Sequence, residues 1–327
     1  MSVLFPRRTL FAAAAGLLAA PAIARAAGLV RIGYQKNGAL VLLRKHRLLE
    51  QKGLTPTYVE FSSGPPLLEA LNAGAVDFGA TGDTPPIFAQ VAGGALVYVG
   101  GQPLTGANEA VLVRADSPIK TIADLRGKRL AFTKGSSAHN MVVKVLAKGG
   151  LTVADVQPVY LQPPDAAAAY RSGALDAWAI WDPFFAIAEQ DPATRVLTTA
   201  EGIAPSNSFF LAGRDFAAKQ PETVVALLET INDAAAWARA NPEPLAQVLA
   251  EVTGVPIAPQ RVSAARGVYA VQPMDDQIVA QQQEIADTFA KLRIIPARID
   301  IRAAVWPHPC KPRARANPSL SAEDHRL

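Results

Sequence analysis

The stretch PPLLEALNAGAVDFGATGD, residues 65–83, joins a helix, a glycine stop and a buried strand, and it decides the fold class. Proline opens the helix, Gly74 ends it, and an apolar run then reaches Thr-Gly-Asp. Shifted by 99 residues, the pattern returns as PDAAAAYRSGALDAWAIWD, residues 164–182, with seven of nineteen positions identical. We interpret the two stretches as one unit used in two lobes, because the proline, the glycine and both aspartates recur. Since any helix–glycine–strand unit has this form, coincidence is the alternative.

Strand and helix patterns alternate along the chain, which indicates an α/β fold with mostly parallel strands. Strand patterns occur at residues 29–34, 57–61, 75–80, 96–100, 110–114, 129–133, 159–161, 177–181 and 208–212. Helical patterns occur at 40–50, 65–72, 138–148, 222–239, 243–250, 260–268 and 275–292, and one more ends at Ser172. The runs 110–114 and 208–212 bracket a central block with its own strand–helix series. We therefore expect two α/β lobes: lobe I from 28–114 and 209–306, and lobe II from 115–208.

Polar residues follow the repeated strand in each lobe. Thr81, Gly82 and Asp83 end the first copy, and Trp181 and Asp182 end the second. Ligands of open α/β sheets bind outside the carboxyl ends of the strands, so two facing lobes would place these residues on opposite walls of one cleft. The alternative for the first copy is structural: the aspartate caps the next helix, and the glycine permits a tight turn.

The stretch AFTKGSSAHN, residues 131–140, also predicts a ligand. A strand ends at its Thr-Lys pair, Gly135 frees the backbone, and Ser136 and Ser137 open a helix. The N–H groups of a helix's first turn attract an anion, so this turn and its two hydroxyls predict an oxyanion site. Ordinary N-capping by one serine is the alternative.

Three more polar residues are candidates for the cleft. Gln35 ends the first strand and offers an amide donor, and Asn207 precedes a strand that crosses between the lobes. His139 lies in the first turn of the helix that Ser137 opens. Because no carboxylate stands at a spacing that would orient its ring, we prefer to interpret it as a polar residue near the cleft. Trp181 could form an apolar wall for a ligand.

Charge and composition exclude several classes of function. The chain has 327 residues and a formal net charge of +4 at pH 7. Three of the positive charges lie in residues 1–26 and a net +2 lies in 307–327, so the body between them is at about −1. This balance argues against nucleic-acid binding. The four histidines lack metal-ligand spacing, and no phosphate-loop or dinucleotide motif occurs, so we expect no metal, no cofactor and no enzyme activity.

The two ends of the chain differ from the body. Residues 1–26 combine the pair Arg7-Arg8, the apolar run FAAAAGLLAA and a small-residue cleavage site ending at Ala26, which is typical of a secretory signal peptide. The arginine pair also fits twin-arginine export, so the export route stays open. The polar, proline-rich tail 307–327 is predicted to be disordered and holds the single cysteine, Cys310.

Several motifs follow one another in a characteristic order. They are RIGYQK, TGDTPPIFAQ, LVYVG, SPIKTIADLRGKRLAFTKGSSAHN, DAWAIWDPF, FFLAGRDFA and IDIRAAVW, and together they span nearly all of residues 29–306. This order resembles that of the periplasmic aliphatic-sulfonate-binding proteins of bacterial ABC importers. The resemblance implies a type II periplasmic-binding-protein fold and a periplasmic monomer. Such a protein passes alkanesulfonates to an ABC permease and its cytoplasmic ATPase, for sulfur acquisition.

By motif position, the resemblance places in the cleft Gln35, Thr81, Gly82, Asp83, Ser136, Ser137, His139, Trp181 and Asp182. A sulfonate is a permanent anion that only accepts hydrogen bonds, so donors and an apolar wall complement it. We expect both aspartates to orient donors or cap helices, although Asp83 could alternatively meet an amine on a substituted sulfonate. The family also includes binders of taurine, nitrate and thiamine-precursor pyrimidines, and related folds include enzymes, so these functions remain the alternatives.

Overall fold

The computed structural model describes residues 28–204 and 206–307. The predicted signal peptide, residues 1–26, lies outside the described residues. The predicted tail lies outside them too, except for its first residue, Pro307, and so does Cys310. The export segment and the nature of the tail therefore stay predictions.

Ten strands in the described part of the chain form two sheets of five strands each. They are β1 Leu29–Tyr34, β2 Thr55–Glu60, β3 Phe78–Thr81, β4 Leu96–Leu104, β5 Glu109–Arg114, β6 Arg129–Phe132, β7 Gln157–Tyr160, β8 Ala177–Trp181, β9 Thr194–Thr199 and β10 Ser206–Gly213. Every predicted strand is present, with ends that differ from the predicted ones by at most four residues. Strand β9 was not predicted, because its half-exposed sequence TRVLTT lacks a continuous apolar run.

Both sheets have the same topology. The first sheet has the order β2-β1-β3-β10-β4 and the second has the order β7-β6-β8-β5-β9. In each sheet the first three strands are parallel and the fourth is antiparallel to both of its neighbours. Four of the five strands in each sheet therefore run in the same direction, in agreement with the prediction of mostly parallel strands, and the one antiparallel strand follows a crossing from the other sheet.

Eleven α-helices of the described residues cover the sheets. They are α1 Ala39–His46, α2 Gly64–Asn72, α3 Thr84–Val91, α4 Ser137–Lys148, α5 Pro163–Arg171, α6 Phe184–Ala188, α7 Arg214–Lys219, α8 Pro221–Ala240, α9 Pro242–Thr253, α10 Ile257–Arg266 and α11 Asp276–Lys291. Helix α1 ends earlier than the predicted 40–50, because Arg47 adopts a left-handed conformation with φ 51° and its N–H bonds back to Leu43. A short 3-10 turn, Glu50–Lys52, follows it.

The chain crosses between the sheets twice, and the predicted lobe boundaries need a correction. Strand β5 was assigned to lobe I, but it pairs with β8 and β9 in the second sheet. Conversely, β10 begins at Ser206 and lies in the first sheet throughout. A strand buried on both faces has the same apolar sequence in either sheet, so its composition could not assign it. We propose that lobe I comprises 28–104 and 206–307 and lobe II comprises 109–199.

The 99-residue echo corresponds to one structural unit present in each lobe. Helix α2 leads into β3 and helix α5 leads into β8, each through a glycine with positive φ. In the first copy Asp77 accepts bonds from the main-chain N–H and the guanidinium of Arg31, with Nη2 to Oδ1 at 2.8 Å. In the second copy Asp176 holds Arg129 in the same way at 2.9 Å. The recurring aspartates therefore lock the start of β1 and of β6 to the helix–strand turn.

Each lobe has its own apolar core, and helix α4 joins the two cores. The first sheet packs α1, α8 and α9 on one face and α2, α3 and α11 on the other. Lobe II closes a separate core around β5, β6 and β8. Val143 of α4 is buried in the lobe I cluster that contains Phe209 and Ile285, so lobe II is anchored there. Within residues 28–204 and 206–307, none of the helices is long and apolar enough to cross a membrane.

Candidate functional site

A cavity of about 120 Å³ lies between the two lobes, at the carboxyl ends of β1, β3 and β8. It is lined by Gln35, Asn37, Gly38, Ala39, Leu40, Gly64, Ala80, Thr81, Gly82, Pro85, Gln102, Leu104, Asn108, Glu109, Ser136, Ser137, Trp181, Asp182, Ser208, Phe210, Ser263, Gly267, Val268 and Tyr269. Seven of the ten predicted site residues belong to this lining. Asp83, His139 and Asn207 do not, and each of them has a different position.

The lobe I wall carries amide and hydroxyl groups held by main-chain carbonyls. The Gln35 side chain donates to the carbonyl of Ala80 at 3.3 Å, and the Thr81 hydroxyl donates to the carbonyl of Gly82 at 3.0 Å. Asn37 reaches across the cleft and donates to the carbonyl of Asp182 at 3.1 Å. These bonds hold the polar side chains of this wall in place beside the cavity.

The lobe II wall presents the first turn of α4. Ser136 occupies the N-cap position, but its hydroxyl donates to the carbonyl of Thr133 at 2.7 Å, and no side chain caps this helix. The capping alternative is therefore wrong for this serine. The first N–H groups of a helix have no partner within the helix, and Ser136 and Ser137, where α4 begins, line the cavity. This arrangement can bind an anion.

Gly82 lies where the main chain of the lobe I wall packs closely against Ser137 of the lobe II wall. A Cβ added to Gly82 would lie 2.7 Å from the Cβ of Ser137 and 3.1 Å from its hydroxyl oxygen. Real Cβ atoms essentially never approach other atoms so closely, so a glycine is required here. The sequence predicted Gly82 in the cleft, with a tight turn as the alternative; in the structure the missing side chain leaves room for Ser137 of the opposite lobe.

Asp83, which the resemblance placed in the cleft, lies outside the lining of the cavity, and its contacts are those of a residue that orients donors. Its carboxylate accepts bonds from the hydroxyl of Thr84 and from the side-chain amide of Asn140, both at 2.8 Å. Asn140 belongs to α4, so Asp83 links lobe I to lobe II. Its side chain is buried, and burial raises the pKa of the carboxyl to about 6, although both donors act in the opposite direction.

His139 is a packing residue, and its assignment to the ligand site is corrected. The ring lies among Phe88, Phe132 and Phe289, with centroid distances of 5.1–6.1 Å. Its Nδ1 accepts a bond from the N–H of Gly135 at 3.3 Å. Burial, together with the charge of Lys134, lowers the pKa of His139 to about 4, so the ring is neutral at pH 7.

A further correction concerns Asn207, whose neighbour Ser208 lines the cavity instead. Side chains alternate between the two faces of a strand, so Ser208 and Phe210 share the cavity face of β10. Asn207 points to the other face, where its amide donates to Gln281 at 3.0 Å. The prediction found the correct strand and missed its register by one residue.

Trp181 and Asp182 form the end of β8 and line the cavity as predicted. The Asp182 carboxylate accepts the N–H of Ala186 at 2.9 Å and so caps helix α6. Arg266, from lobe I, lies 3.5 Å from the same oxygen and pairs with Glu189 at 2.7 Å. Burial raises the pKa of Asp182 to about 7, against the opposing charge of Arg266.

Glu109 is the main residue of the cavity that was not predicted. It is the first residue of β5 and only 3% exposed, and it shares the cavity lining with Ser137, whose hydroxyl favours the charged form of the Glu109 carboxyl. Burial raises the pKa of Glu109 to about 8, and the charges of Asp83 and Asp182 add to the rise. A glutamate directly before the apolar run AVLV was a visible signal. Tyr269 also lines the cavity, and nothing in its local sequence marks it.

The described residues contain no group of three or more histidine, cysteine, aspartate or glutamate side chains that could hold a metal ion. In the same part of the chain, the lining of the cavity includes neither lysine, arginine nor histidine. The lining instead offers hydrogen-bond donors on both walls and an apolar surface formed by Trp181, Phe210 and Tyr269. Such a cavity can hold a small molecule that combines an anionic acceptor with an apolar part.

Comparison with known proteins gives the family. The model of the NMT1/THI5-like family matches residues 44–244. A protein of Escherichia coli (strain K12) named as an aliphatic sulfonates-binding protein is 43% identical over 303 residues, which cover 90% of this chain and 95% of that protein.

Solved structures agree with this relationship. The alkanesulfonate-binding protein SsuA from Xanthomonas axonopodis pv. citri, bound to MOPS, is 44% identical with a TM-score of 0.83 and covers 85% of this chain and 98% of its own. The periplasmic aliphatic sulphonate binding protein SsuA from Escherichia coli is 42% identical with a TM-score of 0.78, over 85% of this chain and 92% of its own. The chain therefore belongs to the NMT1/THI5-like family and, within it, groups with the aliphatic sulfonates-binding proteins.

Proposed function

We propose that this protein is a solute-binding protein that captures alkanesulfonates in the cavity between its lobes. It acts as a monomer in the periplasm, after removal of a signal peptide that ends near Ala26, and delivers its ligand to an ABC permease with a cytoplasmic ATPase for sulfur acquisition. The observation that carries the proposal is the first turn of α4, which opens on the cavity without a side-chain cap.

The chemistry of a sulfonate fits this cavity. Its three oxygens accept hydrogen bonds and stay unprotonated at any physiological pH, so the site must supply donors. The N–H groups at the start of α4, the helix dipole and the amide of Asn108 can supply them. Trp181, Phe210 and Tyr269 offer apolar surface to an alkyl chain. Asp182 holds helix α6 and does not face a sulfonate as a donor.

Binding is favoured over catalysis because the relatives of this chain at 42–44% identity are binding proteins. An enzyme on the same scaffold that cleaves sulfinates would need a cysteine in the cleft, and Cys310 lies in the tail. Taurine, nitrate and a pyrimidine remain alternative ligands for the same cavity. They differ from an alkanesulfonate in charge, size and apolar surface, which a direct screen separates.

The test is a thermal-shift and calorimetric screen of the mature protein. The ligands are alkanesulfonates from methane- to hexanesulfonate, taurine, sulfate and nitrate, each at 1 mM. A ligand with micromolar affinity stabilises the folded state by about 4 kcal/mol under these conditions and raises the melting temperature by several degrees. Stabilisation by nitrate or a pyrimidine and by no sulfonate would contradict the proposal.

A further inference from the structure

The ionisable groups in the cavity present a chemical conflict that the proposed function must resolve. Glu109 and Asp182 are the only ionisable groups of the lining apart from the tyrosine, among the residues that the structure describes. No basic side chain of the described lining offsets them. Two carboxylates facing a bound sulfonate would repel it strongly in a water-poor cavity, because charge interactions are weakly screened there.

Asp182 has partners that account for part of its charge. Its carboxylate caps α6 through the N–H of Ala186, and the guanidinium of Arg266 lies 3.5 Å away. Arg266 also pairs with Glu189 at 2.7 Å, so it offsets only part of the charge of an ionised Asp182. The conflict is greater at Glu109.

Glu109 has no such compensation. Its strand lies between β8 and β9. From β8 and the residue after it come Trp181 and the like charge of Asp182, and the loop after β3 contributes the like charge of Asp83. Helix α4 contributes the hydroxyl of Ser137, and the turn after β9 contributes only the N–H of Ala200, which bonds the main-chain carbonyl of Glu109.

The cavity lining places Glu109 next to the anion site, because Glu109, Ser136 and Ser137 all line the same cavity. Ser137 opens α4, and its hydroxyl acts on the Glu109 carboxyl, so that carboxyl lies near the first turn of the helix. A ligand anion bound to that turn is then a neighbour of Glu109. A carboxylate at this position repels the anion, whereas a carboxylic acid donates to it.

We infer that Glu109 binds the ligand as a neutral carboxylic acid, accepting the Ser137 hydroxyl on one oxygen and donating its own O–H to a sulfonate oxygen. The inference rests on the proposed function, since it assumes a sulfonate in the cavity. A carboxyl kept neutral by its surroundings can serve as a hydrogen-bond donor at pH 7. The raised pKa of Glu109, about 8 before a ligand binds, agrees with this role.

Binding is then linked to a proton. The protonated form of Glu109 dominates below pH 8 and binds the anion, and the bound anion raises the pKa of Glu109 further. Above pH 8 the free protein loses the proton, and a proton must be taken up on binding. The affinity for a plain alkanesulfonate therefore falls as the pH rises, by about tenfold for each unit above 8.

The experiment is isothermal titration of ethanesulfonate between pH 6 and pH 9.5. It uses the wild type, Glu109→Gln and, as a matched control, Glu229→Gln on the exposed face of α8. The wild type and the control should bind about tenfold more weakly at pH 9 than at pH 7. Glu109→Gln keeps a neutral donor and should abolish the fall in affinity between pH 8 and pH 9.5, a range in which Asp182, with its pKa of about 7, is already ionised. Repeating the wild-type titration at pH 9 in two buffers of different ionisation enthalpy should show uptake of close to one proton, and this measurement needs no variant.

The outcomes separate the two proposals. Tight binding of ethanesulfonate with a flat wild-type profile and no proton uptake overturns the role of Glu109 and leaves the proposed function standing. A Glu109→Gln protein that loses taurine binding but retains ethanesulfonate also overturns it, because the carboxylate would then accept an ammonium group. Absence of binding by every sulfonate at every pH overturns both.

Discussion

The two copies of the helix–strand unit end in different ways, although their backbones are equivalent. The first ends in Gly82 and Asp83 and the second in Trp181 and Asp182. Each aspartate contacts the opposite lobe: Asp83 accepts from the amide of Asn140, and Asp182 lies near the guanidinium of Arg266. One cross-lobe contact is a neutral donor to a buried carboxyl, and the other is an ion pair. The repeat thus fixes where the lobes meet, and the residues at its end decide by which chemistry they meet.

The residues before the two aspartates, Gly82 and Trp181, differ most in size. Replacing Gly82 by a larger residue should have the largest effect on ligand affinity. Gly82→Ala puts a Cβ 2.7 Å from the Cβ of Ser137 and prevents the approach of the walls. We expect ethanesulfonate affinity to fall at least about 100-fold, or about 3 kcal/mol, with little change in far-UV circular dichroism. The double variant with Ser137→Gly removes the clash and should recover part of the loss. Wild-type affinity in Gly82→Ala would mean that ligand binding does not need this contact.

Asp83 and Asp182 should also differ in the pH range over which each of them affects stability. Burial raises the folded-state pKa of Asp83 to about 6 and that of Asp182 to about 7, from an ordinary value of 3.8. A raised carboxyl pKa means that the folded state holds the proton more tightly than the unfolded state. The stability from each group is therefore full below about pH 4 and is lost as the pH rises through its folded pKa.

In the wild type, the Asp83 carboxyl lowers the free energy of unfolding by up to about 3 kcal/mol as the pH rises from 4 to 6, and Asp83→Asn should abolish this fall. Asp182→Asn should abolish a similar fall that extends to pH 7. The measurement is the free energy of unfolding in urea as a function of pH, taken as the difference between each variant and the wild type. A difference that does not depend on pH would show that burial does not control these carboxyls.

The aspartates at the start of the repeated strands form a second matched pair. Asp77 is 4% exposed in its side chain and Asp176 is 31% exposed, while both hold an arginine with the same bonds. Removing the charge should cost about 2 kcal/mol for Asp77→Asn, and below about 1 kcal/mol for Asp176→Asn, where water screens the pair. Urea unfolding at pH 7 measures both losses. Equal losses would mean that burial does not distinguish the two copies.

The smallest expected effect concerns the salt dependence of ligand affinity. It should distinguish the ionic contact of Arg266 with Asp182 from the neutral contact of Asn140 with Asp83. Arg266→Gln removes the cation that faces Glu189 and Asp182, and we expect about fivefold weaker ligand binding at low salt. The loss should shrink when the salt concentration is raised to 0.5 M, because screening already weakens the pair in the wild type. Asn140→Ala, which removes the neutral contact to Asp83, should lose the same affinity at both salt concentrations. An Arg266→Gln loss that does not respond to salt would argue for packing on Phe185, over whose ring the guanidinium lies at 4.1 Å.

Local signals in the sequence were sufficient for the repeated unit. Proline, glycine and aspartate each act within a few residues, so the helices, the strands and the cleft position of Thr81 and Trp181 could be predicted. The errors arose where the outcome depends on distant segments. Strand β5 is apolar on both faces and fits either sheet, and the ring of His139 is buried by Phe88 and Phe289, which lie far from it in sequence.

Asn207 and Glu109 show two further limits. The alternation of side chains along β10 could be counted, but its phase relative to the cavity depends on pairing with β3 and β4. The pKa of the Glu109 carboxyl depends on Ser137, which lies 28 positions later in the chain, and on the charges of Asp83 and Asp182. The sequence around Glu109 therefore does not predict these neighbours.

The position of Glu109 just after the first crossing between the lobes has a mechanical consequence. Domain rotation displaces atoms in proportion to their distance from the axis, and chain crossings are where such axes lie. Glu109 is separated from β4 by only four residues, 105–108. We therefore expect its carboxyl to stay nearly stationary while the tips of both walls travel several ångströms. A ligand contact made by this group would therefore be kept while the two walls turn about it.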